Sequence, residues 1–324
     1  MRVLVTGATG FIGRHLLTRL LRHGDAIRVL ALPDTLKDVV QSARVQVVVG
    51  SLADGEVLRR AARNIDVIVH LAAKVTGLAH AEFRVVNVEG TRNLLDAAVR
   101  AKVKRFVYMS STAVYGLAPF PIMWPIAEDS PLAAHGSRTL RLYGWSKIEA
   151  EKAVIRTHQL NGLEYAILRP TVVYGSGSIG AERLLSMLVQ FPNLMRFEVA
   201  PNGVIQWMHV SDLVELMTRT MRDRAAANQV FNAAGGAAVS LAEVSAALRM
   251  LLGPAWAPLA PFVPPPARSH VPPFAIAKAR LLLRFQPRMQ IVEGLAEMFG
   301  SADGDGVRSG GDGAGRAPTM GTVQ

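Results

Sequence analysis

Thr6-Gly7-Ala8-Thr9-Gly10-Phe11-Ile12-Gly13 follows a short apolar run, Arg2 to Thr6, and leads into an amphipathic stretch, Ile12 to His23. Glycines at positions 7, 10 and 13 let the backbone turn tightly, let a pyrophosphate approach a helix N-terminus, and let that helix pack closely on a sheet. The GxxGxxG spacing would be weak evidence alone. Set between the first strand and first helix of a βαβ unit, it points to dinucleotide binding rather than an ordinary turn.

Outward from this turn, apolar runs at Ile27 to Leu32, Val45 to Val49, Val67 to Leu71, Phe106 to Ser110 and Tyr165 to Arg169 alternate with helix-like stretches. These stretches are Asp54 to Arg63, Glu89 to Arg100 and Tyr143 to His158. Continuous apolar runs suggest strands buried on both faces, and the alternation predicts a parallel sheet with helices on both sides. The expected fold is α/β, a Rossmann-type doubly wound parallel sheet with a smaller C-terminal substrate lobe. Residues 1–175 would form mainly the dinucleotide-binding domain and residues 176–299 mainly the lobe, with the chain free to cross between them. Helix-like segments are expected at Ala181 to Gln190, Ser211 to Arg222 and Ser240 to Leu252. Residues 300–324 hold eight glycines and few large apolar side chains, so they are expected to be disordered.

The 324 residues are half hydrophobic and 19% charged, enough for a sizeable core. With no cysteine, disulfides, thiolate metal sites and cysteine nucleophiles are excluded, and the scattered histidines lack ligand spacing, so no metal is expected. A strand-like run beginning almost at Met1 leaves no room for a signal peptide, which predicts a cytoplasmic protein. The longest uncharged run, Met250 to Ala267, contains six prolines and reads as an extended connector rather than a transmembrane span.

At the end of the second strand an acidic residue would bind the ribose of NAD and a basic one would favour NADP. The sequence there is Leu30-Ala31-Leu32-Pro33-Asp34, which carries neither signal in its usual place, so NAD and NADP both stay open. Tyr143 and Lys147 lie four residues apart, on one face of a helix. An ammonium there would stabilise the phenolate, bring the phenol towards neutral pH, and let it exchange a proton with an alcohol or ketone. Ser110 to Gly116 falls at the C-terminal end of a predicted strand, where open α/β sheets place their ligands.

With Thr6 to Gly13, these elements resemble the extended short-chain dehydrogenase/reductase family, the NAD-dependent epimerase/dehydratase group that includes the sugar-nucleotide epimerases. The resemblance covers residues 1–299. Its further motifs are His70-Leu71-Ala72-Ala73, Asn87 with Gly90-Thr91, Arg169-Pro170 with Val173-Tyr174-Gly175, and His209 to Leu213. It implies Ser111, Tyr143 and Lys147 as catalytic residues. Gly7, Thr9, Gly10, Phe11, Ile12, Gly13, Leu71, Ala72, Ala73, Asn87, Arg169 and Pro170 would touch the cofactor together with Tyr143 and Lys147. Ser111, Thr112, Tyr143 and Arg183 would touch the substrate. His70, Asn87 and Tyr115 equally fit core packing, a helix cap and an aromatic plug, while Lys74 and His209 fit structural or solvated roles.

Within that family, dehydratases typically carry an Asp-Glu pair where this chain has Thr112-Ala113, and the epimerase-reductases use a cysteine that is absent here. The remaining reactions are 4-epimerisation of a nucleoside-diphosphate sugar and NADPH-dependent reduction of an apolar ketone. A third reading is a non-catalytic dinucleotide-binding subunit. Val172 stands near the place of an asparagine common in UDP-sugar epimerases, and Ile205-Gln206-Trp207 lacks the usual diphosphate-binding arginine, for which Arg183 or Arg196 could substitute. The family resemblance also implies a homodimer through the helices at Glu89 to Arg100 and Tyr143 to His158.

The formal charge is +11. Residues 253–324 hold seven basic and five acidic side chains, so the excess belongs to the core rather than the tail. Without nucleic-acid motifs or interleaved aromatics, the cluster Arg100, Lys102, Lys104 and Arg105 reads as a solvated loop, and no nucleic-acid partner is expected. Anionic ligands account for part of the field, and peripheral contact with a membrane surface stays open.

Overall fold

The computed structural model describes residues 1–116, 125–133, 138–179, 182, 185, 204–252 and 274–299. Seven parallel strands form the central sheet: β1 (Arg2–Thr6), β2 (Ala26–Ala31), β3 (Val45–Val49), β4 (Val67–His70), β5 (Arg105–Met109), β6 (Glu164–Pro170) and β10 (Gln229–Ala233). Their spatial order is β3-β2-β1-β4-β5-β6-β10. Two short pairs lie outside it. β7 (Val173–Tyr174) runs parallel to β9 (Met208–His209), and β8 (Val204–Ile205) antiparallel to β11 (Val239–Ser240).

Side-chain alternation explains how the sheet buries both faces. Val3, Val5, Val69, Val107 and Leu168 face one way, towards α1 (Phe11–Arg22), α6 (Val210–Arg222) and α8 (Ala277–Leu283). Leu4, Ile68, Phe106, Tyr108 and Ile167 face α2 (Gly55–Ala62), α4 (Gly90–Arg100) and α5 (Arg138–Asn161). A third cluster, with Tyr174, Ile205, Trp207, Leu248 and Leu295, joins α7 (Leu241–Leu252) to α9 (Ile291–Phe299) beside the two short strand pairs. A four-residue helix, α3 (His80–Phe83), runs into a π-helical turn, Arg84–Glu89, before α4.

The doubly wound sheet agrees with the sequence-based expectation, with four differences. The seventh strand, β10, comes from a stretch not read as a strand, Gln-Val-Phe-Asn-Ala. It pairs with β6 from Gln229 opposite Ala166 to Ala233 opposite Pro170, so the chain returns to the central sheet after residue 175. β3 was expected to be buried on both faces, but as the edge strand it leaves Val47 and Val49 exposed. α5 begins at Arg138 rather than Tyr143. Arg105 is not solvated: it pairs with Glu164 at 2.8 Å and donates to the carbonyls of Thr220 and Asp223 at 2.8 and 2.6 Å, satisfying groups at the end of α6. The expected helix at Ala181 to Gln190, the proline-rich connector and the tail 300–324 lie wholly or mainly outside the described residues.

Candidate active site

Strand order reverses between β1 and β4, and ligands of open α/β sheets bind outside the carboxyl ends of the strands at such a point. The glycine turn lies there. Gly7 has φ +71°, and a Cβ on it would sit 2.6 Å from the Ala72 nitrogen and 2.8 Å from the Leu71 carbonyl carbon. A Cβ on Gly13 would sit 2.3 Å from the Gly7 oxygen. The turn therefore closes against Leu71-Ala72 only because side chains are missing. The N-terminus of α1 at Gly10 has no side-chain cap and no acidic residue in its first turn, whereas Asp54 caps α2 by accepting from the Glu56 and Val57 nitrogens. Uncapped N–H groups at an exposed glycine suit an anionic group. These features fit a dinucleotide pyrophosphate. The end of β2 adds no basic side chain: Ala31 is buried, and Leu32, Pro33 and Asp34 are exposed.

Behind the turn a buried hydrogen-bond chain fixes β1 to β4. The Thr91 hydroxyl donates to the Asn87 carbonyl at 2.6 Å, so it accepts from His70 Nε2 at 2.9 Å. His70 Nδ1 then accepts from the Thr6 hydroxyl at 2.7 Å, which itself accepts from the Ala72 N–H at 3.3 Å. The imidazole is neutral, because burial, reinforced by Lys147, pushes it down to about 3. His70 is thus a strut. Asn87 is a strut too: it spans the Lys74 backbone through bonds of 2.7 and 2.9 Å and reaches the Ser146 hydroxyl at 2.9 Å. Lys74 pairs with Glu82, and His209 caps α6 through the Ser211 nitrogen.

Ser111, Tyr143 and Lys147 come together at the carboxyl end of β5. The Ser111 hydroxyl faces the Tyr143 phenol, favouring its ionised form, and accepts from the Ala113 nitrogen at 3.1 Å. Lys147 Nζ lies 5.7 Å from the Tyr143 ring centroid and 4.9 Å from that of Tyr108, and it donates to the Met109 carbonyl at 2.8 Å. The expected lowering of the phenol's pKa does not hold in this structure. Burial pushes Tyr143 up to about 12 against the opposing Ser111 hydroxyl, and burial pushes Lys147 down to about 7 against the attraction of Glu151. Desolvation disfavours both charged forms and outweighs the proximity of the two groups.

The guanidinium of Arg169, a residue expected to touch the cofactor, is bound within the protein. It pairs with Glu151 at 2.6 Å, and it donates to the Tyr115 hydroxyl at 2.7 Å and the Glu128 carbonyl at 2.9 Å. The Thr112 hydroxyl donates to the Pro170 carbonyl at 3.2 Å, tying the turn after β5 to the end of β6. Arg183 and Arg196 lie outside the described residues. Sequence reasoning missed Glu151, whose signal was another four-residue step along the same helix face after Tyr143 and Lys147. It also missed Asn232, which completes the same buried network and carried no signal, and it gave Ser110 no role of its own within the Ser110 to Gly116 motif. The described residues contain no group of histidine and acidic side chains able to hold a metal, and none of their helices is long and apolar enough to cross a membrane.

Residues 3–234 match the NAD-dependent epimerase/dehydratase family. This chain belongs to that family. A UDP-glucose 4-epimerase of Vibrio cholerae is 30% identical over 78% of this chain and 77% of its own length. A 4-hydroxy-2-methyl-3-oxo-4-farnesyl-3,4-dihydroquinoline-1-oxide ketoreductase of Stigmatella aurantiaca is also 30% identical, over 74% of this chain and 70% of its own length. Among solved structures, MoeE5 in complex with UDP-glucuronic acid and NAD superposes with a TM-score of 0.73 at 27% identity, covering 93% of this chain and 98% of that one. The epimerase/dehydratase family thus contains both sugar-nucleotide isomerases and ketone reductases among this chain's relatives, and the chain is an enzyme of that family.

Proposed function

We propose that the protein is an NAD-dependent enzyme that moves hydride at a secondary alcohol or ketone, acting as a 4-epimerase on a nucleoside-diphosphate sugar. The observation that carries this reading is the convergence of Ser111, Tyr143 and Lys147 at the strand ends beside an uncapped, glycine-lined helix N-terminus. Gly7, Gly10 and Gly13 with the first turn of α1 would hold the pyrophosphate, and Leu71 to Ala73 would flank the adenosine half. NAD is favoured over NADP, because no cation at the end of β2 awaits a 2′-phosphate.

When bound, the nicotinamide supplies a hydride acceptor that can return the hydride. The Ser111 hydroxyl orients the substrate oxygen, Tyr143 takes the hydroxyl proton and later restores it, and Lys147 stabilises the phenolate. Burial keeps Tyr143 protonated at the outset, the form that can give a proton to a ketone oxygen, and an approaching cationic ring would favour loss of that proton.

The alternative, reduction of an apolar ketone, is favoured by one observation in the lobe. The Gln206 amide donates to the Gly235 carbonyl and accepts from the Phe274 nitrogen, and Trp207 is buried, so neither offers a free cation to a diphosphate. Mass spectrometry of nucleotide released on denaturation tests the two readings. Retained NAD supports the epimerase, whereas an empty protein that oxidises NADPH with an apolar ketone supports the reductase. Turnover of neither substrate class despite tight cofactor binding would favour a non-catalytic subunit. We further propose a cytoplasmic homodimer pairing through α4 and α5, to be checked by light scattering.

A further inference from the structure

The geometry points to Glu151 and Arg169 as positioning residues of opposite sign that set the protonation of the Tyr143–Lys147 pair without touching substrate or cofactor. α5 places Tyr143, Lys147 and Glu151 at successive four-residue intervals on one face. All the supporting contacts are buried. Glu151 Oε1 accepts from the Ser110 hydroxyl at 2.5 Å and from Arg169 Nε at 3.0 Å, and its Oε2 accepts from Arg169 Nη2 at 2.6 Å. Ser110 is flanked by Met109, whose carbonyl holds Lys147, and by Ser111, whose hydroxyl meets Tyr143. The carboxylate is therefore bonded to the same three-residue step that fixes both reactive groups.

Few other charges compete. His70 on β4 is neutral, and burial keeps Tyr108 on β5 protonated. Tyr165 on β6 and Tyr115 in the turn after β5 are likewise raised by burial. Glu128 lies on the far side of Arg169, where its carboxylate accepts from the Asn232 nitrogen and its carbonyl from the guanidinium. Glu151 and Arg169 are thus the ion pair bonded, through Ser110, to the strand end that holds Tyr143 and Lys147.

The sign follows from charge alone. Loss of a proton from the phenol or from the ammonium leaves the site more negative, so the carboxylate opposes both ionisations and the guanidinium favours both. The far end of the network reaches the rest of the molecule. The Tyr115 hydroxyl donates to Asn232 Oδ1 at 2.7 Å, and Asn232 Nδ2 donates to the carbonyls of Ile126 and Ala275 at 2.9 and 3.2 Å. Movement of those segments would pull on Arg169 and alter how fully it offsets Glu151.

The inference rests on the proposed catalytic role of Tyr143 and Lys147, and its test reads protonation directly. The phenolate ultraviolet band of the full chain is titrated with Tyr143→Phe as the blank, beside the pH dependence of turnover. Glu151→Gln should move the Tyr143 midpoint to lower pH by about one unit, and Arg169→Met should move it upwards by a similar amount. The double variant should return close to the native midpoint. Unmoved midpoints, or both single variants moving the same way, would overturn the inference. If Glu151→Gln does not fold, the sign of the Arg169→Met shift decides by itself. Shifted midpoints without turnover of any sugar or ketone would sink the functional reading and leave this inference standing. Normal turnover with unmoved midpoints would do the reverse.

Discussion

Lys147 holds its ammonium 5.7 Å from the centre of the Tyr143 ring while donating to the Met109 carbonyl at 2.8 Å, so the cation is anchored to β5 rather than to the phenol it serves. The two proposed partners thus share α5 and one strand end but meet different residues of it, Met109 for Lys147 and Ser111 for Tyr143. Removing one should leave the other in place.

Tyr143→Phe should reduce turnover by about 10²- to 10⁴-fold, the usual contribution of a positioned acid or base. NAD affinity, read by quenching of protein fluorescence, should change little, because the turn at Gly7 to Gly13 is untouched. Turnover close to that of the native protein would remove Tyr143 from the mechanism.

Lys147→Met should abolish activity and stabilise the fold. The buried amine has its pKa lowered from 10.5 to about 7, so the unfolded chain binds more protons than the folded one between those values. The stability this group contributes is present above the unfolded value and is lost as pH falls towards 7. Below that the penalty is complete. At pH 6 the variant should be more stable by on the order of 2 kcal/mol, with the advantage shrinking towards pH 10 in denaturant titrations.

His70 should add an acid limb to stability. Its folded value of about 3 lies below the ordinary 6.5, so stability is full above about pH 6.5 and declines as pH falls towards 3, by up to ~1.4 kcal/mol per unit. Substitution His70→Gln should flatten that limb, as followed by thermal unfolding in buffers from pH 7 to about 4.

Gly13→Ala should destabilise the protein by at least ~2 kcal/mol, because its methyl would press on the Gly7 oxygen and the Ala8 Cα at 2.3 and 2.6 Å, both rigid backbone atoms. Dinucleotide affinity should fall with it, since relief requires opening the turn. Native affinity, measured calorimetrically, would show that the turn does not hold the cofactor.

Arg105→Met provides a contrast at the opposite end of the sheet. It strips a buried donor from the Thr220 and Asp223 carbonyls and a partner from Glu164, and should cost about 2–3 kcal/mol in chemical denaturation while leaving kcat unchanged.

Local pattern made much of the fold legible. Val3, Leu4 and Val5 alternate between two cores, and the glycine turn could sit only between a strand and a helix. β10 was hidden because its five residues carry a polar end and an asparagine, and its place in the sheet rests on pairing with β6, a contact made far along the chain. At the site, Tyr143 and Lys147 carried a signal in their four-residue spacing, whereas Ser111 was named through the family resemblance. Glu151 was not read, since a carboxylate on a helix usually faces water. Its burial depends on Arg169, which lies eighteen residues later. Arg105 misled for the matching reason: within a run of basic residues, nothing local shows that one of them turns inward to finish another helix.

The late arrival of β10 has a consequence for synthesis. Until the ribosome has delivered Gln229 to Ala233, β6 presents unpaired backbone from Ala166 to Pro170 along a bare apolar border. The first 175 residues hold the glycine turn and the proposed catalytic trio, yet they form a half-finished sheet open to pairing with another nascent copy. Truncation there should yield aggregate rather than a free-standing nucleotide-binding unit, and chaperone dependence should end once the seventh strand closes that border.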